Sequence, residues 1–204
     1  MCGIFGIITS NESSYSQDFL NKSLKQLALL SESRGKDSSG LCAFNQNTKR
    51  IEVIKGPMPI KQLFKQKPLK NIVSTTFSDN SSTKYAFGHA RLVTNGTQLD
   101  DANNQPVIKD GIVGVHNGIV VNVDELWYEH SKITRDNEID TEVLLSLIRM
   151  ELNDQSIENA VSSSINKVFG TVSTALVFDD LDKFILATNN GSLYIIQNNK
   201  DVLF

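Results

Sequence analysis

Cysteine at position 2 is the residue with the most direct route to chemistry in this sequence. Removal of the initiator methionine, the usual fate of Met1 before a small residue, leaves Cys2 with a thiol and a free α-amine on one residue. An amine of pKa about 7.7–8.0 can take the proton of a thiol of pKa about 8.5, so nucleophile and base arrive as a unit and no His or Asp is required. Burial would lower the amine pKa and favour its basic form near neutral pH. Taken alone, Cys2 also reads as a small core cysteine that happens to stand second. His89, His116 and His130 are scattered, without the acidic or Cys spacing of a metal site. No metal or other cofactor is expected, and His89 and His116 read as hydrogen-bonded structural residues. Cys42 lies in an apolar strand-like run and reads as core.

The elements that must position these residues alternate between apolar runs and helical spacing. Cys2 to Thr9 reads as a buried strand, and Ser16 to Glu32 carries Phe19, Leu20, Leu24, Leu27 and Leu30 at helical spacing before Gly35. Strands are expected over Ser39 to Asn45, Arg50 to Ile54, Lys84 to Arg91, Gly111 to His116, Val172 to Phe178, Lys183 to Ala187 and Leu193 to Ile196. Helices are expected over Ile60 to Lys65, Val123 to His130, Thr141 to Leu152 and Ser156 to Phe169, with a polar loop from Lys67 to Thr83 and another from Thr97 to Asn104. This order predicts an α+β fold with largely antiparallel sheets. No low-complexity linker divides the chain, so residues 1–204 are expected to form one domain. Asp201 to Phe204 open an apolar strand and stop, the pattern expected of a chain truncated within a longer one.

Composition narrows the function classes. Twenty Lys and Arg stand against 23 Asp and Glu, a formal charge of −3, which supplies no basic field for a phosphate backbone, so no nucleic-acid partner is expected. No apolar run approaches the ~18 residues that span a bilayer, so no membrane partner is expected. The N-terminus lacks the charged and apolar regions of a signal peptide, and two cysteines are too few for a disulfide framework. A cytoplasmic location is expected.

Met1-Cys2-Gly3-Ile4-Phe5-Gly6-Ile7 resembles the opening of the class II glutamine amidotransferases, which are N-terminal nucleophile hydrolases. The resemblance continues, in order, through 33–40 (Ser-Arg-Gly-Lys-Asp-Ser-Ser-Gly), 88–96 (Gly-His-Ala-Arg-Leu-Val-Thr-Asn-Gly), 115–119 (Val-His-Asn-Gly-Ile) and Asp140-Thr141-Glu142. It implies a four-layer αββα sandwich and hydrolysis of L-glutamine through a Cys2 thioester, giving glutamate and ammonia. A tetrahedral oxyanion would form on that route, and Asn117 with Gly118 offers a side-chain NH₂ and a backbone N–H aimed at one spot. Without the resemblance, the same Asn-Gly pair reads as a hairpin turn using a positive φ at glycine. The resemblance assigns the α-carboxylate of glutamine to Arg91, whose fork suits two parallel hydrogen bonds, and the α-ammonium to Asp140. It makes Thr94 and Asn95 substrate-loop residues, although many amino-sugar synthases have His where Asn95 stands. It makes Arg34, Asp37 and Ser38 a turn supporting the nucleophile strand.

Full amidotransferases add a synthase module that consumes the ammonia, so such a module or subunit is the implied partner. The motifs at 33–40 and 115–119 lean toward the isomerising glucosamine-6-phosphate synthases. Gly88 to Leu92 and Asn104-Gln105-Pro106 lean toward asparagine synthetases, and Leu92 replaces the Trp usual in the amino-sugar enzymes. Amino-sugar synthesis is the favoured reading. An asparagine synthetase-type domain, an N-terminal nucleophile amidohydrolase without a transfer partner, and a catalytically silent glutamine-binding subunit stay open at this point.

Overall fold

The structure, a computed structural model, describes residues 2–45, 47–78, 83–93 and 96–204. Among the described residues, ten strands form two sheets. β1 (Gly3–Thr9), β2 (Ser38–Asn45), β3 (Arg50–Gly56), β4 (Lys84–Arg91), β9 (Ile196–Asn198) and β10 (Asp201–Leu203) build a six-stranded sheet in the order β3-β2-β4-β1-β10-β9. β5 (Val107–Lys109), β6 (Ile112–Val120), β7 (Gly170–Phe178) and β8 (Phe184–Thr188) build a four-stranded sheet in sequence order. The strand pairings are antiparallel.

The two-residue side-chain period of a strand sorts each apolar run onto two faces. In the six-stranded sheet, Phe5, Ile7, Leu41 and Ala86 pack under α1 (Gln17–Ser31), α2 (Ile60–Leu63) and α3 (Lys67–Thr76). Ile4, Ile8, Cys42 and Phe87 face the other sheet, where Val113, Val115, Ala175 and Val177 meet them. The outer face of the four-stranded sheet, with Ile112, Val120, Val172 and Leu176, packs under α4 (Val123–Glu129), α5 (Thr141–Glu151) and α6 (Ile157–Asn166). The architecture is therefore helices, sheet, sheet, helices, and its inner strands are apolar on both faces because both are covered. The α+β antiparallel expectation holds, and β1 lies inside its sheet, between β4 and β10.

Several local expectations are corrected. The stretch read as a loop from Lys67 contains α3, which opens at Pro68 in its first turn and buries Leu69, Ile72 and Thr76. Its Ser-Thr-Thr ending has weak helix propensity, and packing onto the sheet overrides that. The strand expected to stop at His116 runs on to Val120, and it is preceded by β5 through a turn in which Asp110 and Gly111 both have positive φ, 50° and 74°. That Asp-Gly pair is a strong hairpin signal, masked by the shortness of β5. The strand expected at Leu193–Ile196 is displaced to β9, and the run beginning at Asp201 does form a strand, β10, paired with β1. In α1, Ser16 caps the helix by accepting from the Phe19 N–H, and Leu20, Leu24 and Ala28 are buried. Phe19 and Leu30, which share the helical spacing, are exposed.

Candidate active site

Strand register brings Cys2 to the end of β4. Gly3 is opposite Ala90, so Cys2 stands beside Arg91 and Leu92. The Cys2 thiol lies 3.4 Å from both the backbone N–H and the carbonyl of Leu92, accepting from one and donating to the other. Arg34 donates through Nε to the Cys2 carbonyl at 2.8 Å. Asp37 donates its N–H to the Arg91 carbonyl at 3.0 Å and accepts from the Val93 N–H at 2.8 Å. The turn after α1 thus holds both strand ends that meet at the thiol, and Ser38 sits opposite Arg91 in β2. Burial pushes the Cys2 thiol up from its ordinary range; the Leu92 N–H and Arg91 oppose the rise, and Asp140 adds to it. The thiol is therefore protonated near neutral pH and needs a base to become a nucleophile.

Asn117 and Gly118 come from the other sheet. They lie within β6, opposite Ser173 and Val172, so the hairpin-turn reading is overturned. Gly118 is glycine for want of space, not for a positive φ: a Cβ there would stand 1.8 Å from the Thr171 carbonyl oxygen. Asn117 shares the wall of one cavity with Cys2, Arg34, Ser31, Leu193 and Tyr194, a hollow of about 250 Å³. The facing sheets thus present a thiol and a carboxamide to the same space.

Arg91 and Asp140 do not line that cavity. Both lie within electrostatic reach of the Cys2 thiol and of each other. Arg91 is almost fully buried, with Nη1 donating to Asn104 Oδ1 at 3.2 Å and Nη2 to the Gly96 carbonyl at 3.4 Å. Asp140 stands at the N-terminal boundary of α5 and accepts from the Val120 N–H at 3.0 Å, which ties it to the end of the strand carrying Asn117. His116, on the opposite face of β6 from Asn117, places Nε2 3.1 Å from the Thr171 carbonyl and Nδ1 3.5 Å from the Thr141 hydroxyl. A carbonyl only accepts, so Nε2 is the donor to Thr171, while Nδ1 faces the Thr141 hydroxyl and lies 3.9 Å from Asp140 Oδ1.

Met1, Thr94 and Asn95 lie outside the described residues. His89 corrects an expectation. It is fully buried, and neither ring nitrogen has a hydrogen-bond partner among the described residues. Burial, with Arg91 and His116 adding to it, pulls its pKa down to about 3, so the ring is neutral. Cys42 is core, buried between the sheets. Motif reading missed Leu92, whose backbone meets the thiol, and Asn104, which engages Arg91. A backbone contact leaves no mark on residue type, and Asn104 drew attention only for its neighbours Gln105 and Pro106.

A larger hollow, about 930 Å³, opens at the far end of β4 between Phe44, Tyr85, Phe184 and Asp180 and is remote from the thiol. Among the described residues, no group of three or more His, Cys, Asp or Glu gathers as a metal ion would need, and no helix is long and apolar enough to cross a membrane.

A family profile described as a glutamine amidotransferase domain matches residues 89–204. The chain is 30% identical to the glutamine–fructose-6-phosphate aminotransferase (isomerizing) of Bartonella henselae over 100% of this chain and 31% of that protein. It is 32% identical to the enzyme of the same name from Thermococcus kodakarensis over 96% of this chain and 30% of that one. The chain spans just under a third of the length of these curated relatives. Among solved structures, the glutamine phosphoribosylpyrophosphate amidotransferase of B. subtilis matches with a TM-score of 0.70 at 21% identity, covering 98% of this chain and 40% of that one. That is a likeness of fold.

Proposed function

We propose, since the chain belongs to the family of class II glutamine amidotransferase domains, that residues 1–204 form one glutaminase domain in which Cys2 attacks the side-chain amide of L-glutamine. The observation that carries this reading is the meeting of Cys2 and Asn117, one from each sheet, in the wall of one cavity. With Met1 removed, the α-amine of Cys2 takes the thiol proton, which the buried thiol does not shed by itself. The sulfur adds to the amide carbon, and the oxyanion is held by Asn117 Nδ2 and the Gly118 N–H. The amine returns the proton to the departing nitrogen, ammonia leaves, and water cleaves the thioester to glutamate. Arg91 takes the α-carboxylate and Asp140 the α-ammonium, with Thr94 and Asn95 in the substrate loop. Arg34 and Asp37 hold the nucleophile in place.

The ammonia acceptor in this reading is a sugar phosphate, supported by whole-chain similarity to two aminotransferases that act on fructose 6-phosphate. The consuming synthase module is the part of those relatives that this chain does not span. The location is cytoplasmic.

Hydroxylamine tests the thioester. With glutamine and hydroxylamine together, the chain should release ammonia and form γ-glutamyl hydroxamate, and Cys2→Ser should do neither. Ammonia release that survives Cys2→Ser would exclude the thioester, and tight glutamine binding without ammonia release would mark a silent glutamine-binding subunit.

A further inference from the structure

The two residues assigned to the ends of the amino acid lie on different sides of the molecule, Arg91 at the end of β4 in the six-stranded sheet and Asp140 at the start of α5 on the four-stranded one, and each is held by a loop of its own. Arg91 is engaged by Gly96 and Asn104, and Asn104 is tied back by donating Nδ2 to the Gln98 carbonyl at 2.8 Å. The Asn104 carbonyl in turn accepts from Lys55 Nζ on β3 at 2.7 Å. Asp140 ends the loop from Ile133, which is fixed by Glu142: this fully buried carboxylate accepts the Asp136 N–H at 2.9 Å and the Asn137 N–H at 2.8 Å. Lys109 Nζ stands 3.2 Å from Glu142 and supplies the counter-charge.

Asn103 and Glu138 join these two loops. The Glu138 N–H donates to Asn103 Oδ1 at 3.1 Å, and Asn103 Nδ2 donates to Glu138 Oε2 at 3.4 Å. Asn103 is 2% exposed, ends a helical turn (Asp101–Asn103) capped by the Asp100 carboxylate, and lies against Gly96. It immediately precedes Asn104, while only Ile139, itself buried in the outer core of the four-stranded sheet, separates Glu138 from Asp140. The reciprocal pair is thus a short link from the group that grips Arg91 to the group that carries Asp140.

We propose that Asn103 and Glu138 form a latch that sets the spacing between Arg91 and Asp140 and so fixes the fit of the site to an α-amino acid. They are positioning residues, acting through Arg91 and Asp140. The proposal rests on the reading of Arg91 and Asp140 as the α-carboxylate and α-ammonium partners. The latch touches neither Cys2 nor Asn117, so its effect falls on substrate binding and leaves the chemical step alone.

Steady-state ammonia release from L-glutamine tests it, with the rate of Cys2 alkylation by iodoacetamide as a readout that needs no clamp. Asn103→Ala should raise the KM for glutamine about tenfold with kcat within about twofold and an unchanged alkylation rate. Glu138→Ala, at an exposed side chain, should raise KM about threefold without endangering the fold. Asn103→Asp sets two carboxylates face to face and should raise KM as strongly as Asn103→Ala. Adding Glu138→Gln restores a donor opposite an acceptor and should return KM to within about threefold of the parent. An unchanged KM in Asn103→Ala and Glu138→Ala, while Arg91→Lys raises it, would overturn the latch and leave the clamp standing. An unchanged KM in Arg91→Lys would overturn the clamp and the latch with it. A loss in kcat, or failure of the double variant to recover, would show that the pair merely supports the fold.

Discussion

The two sheets contribute unlike halves of the site. The six-stranded sheet supplies Cys2 and Arg91 at strand ends, where Arg34 bonds the Cys2 carbonyl, Asp37 bonds Val93, and Asn104 and Gly96 engage the Arg91 side chain. The four-stranded sheet supplies Asn117 from mid-strand and Asp140 from a helix boundary, set by a ladder and a buried carboxylate network around Glu142. In the proposed mechanism the first half carries the group that changes protonation and forms a bond, the second carries groups that face the developing charge, and neither sheet alone holds a complete site.

The largest effect should come from the first half. Cys2→Ser should lower ammonia release at least about 10³-fold while the melting temperature changes little, since the hydroxyl is a poorer nucleophile of similar size. Asn117→Ala probes the second half. It should lower kcat about 10²–10³-fold with KM nearly unchanged, because the carboxamide acts on charge present only in the transition state. An effect confined to KM would move Asn117 from the chemistry to substrate binding.

Arg91→Lys and Asp140→Asn, one from each half, should each raise the KM for glutamine at least about tenfold, as a point charge or a neutral amide replaces a fitted ion partner. If one does so and the other does not, the amino acid is held by one sheet only, and the division between the halves must be redrawn.

A different kind of effect is on stability. His89 is neutral in the folded chain, with a pKa of about 3, and titrates near 6.5 when unfolded. Between those values the unfolded chain binds the extra proton, so folding free energy should fall as pH drops from about 6.5 toward 3, by up to about 1.4 kcal/mol per pH unit. Urea unfolding of His89→Gln across that window should show a shallower slope than the parent. Equal slopes would mean that the imidazole finds a proton acceptor in the folded state.

The chemistry of the site was more legible than its support. Cys2 was singled out by position, and Arg91, Asn117 and Asp140 by short ordered motifs; the structure brings Cys2 and Asn117 to one cavity and leaves Arg91 and Asp140 out of its wall. α1 was legible for the same reason that it forms, an apolar stripe with one face to bury, and α5 by its apolar run, which is buried all round over Thr141 to Ile148. What escaped is what depends on neighbours distant in sequence. Asn117-Gly118 read as a turn because Asn-Gly is a local turn signal, and only the approach of the Thr171 carbonyl explains glycine within a strand. α3 was hidden because its helix formation owes more to packing against β2 and β4 than to propensity. The burial of His89 and the pairing of Asn103 with Glu138 have no signature in sequence, since both are defined by what lies across a gap.

The central claim is that the nucleophile and its base are one residue. The direct test compares ammonia release from glutamine by chain beginning at Cys2 with release by chain that retains Met1, the N-terminus of each verified by mass. The chain beginning at Cys2 should hydrolyse glutamine, and the Met1-retaining chain, whose Cys2 nitrogen is an amide without a basic lone pair, should be slower by at least about 10²-fold. Equal rates would contradict the account and place the base elsewhere in the site.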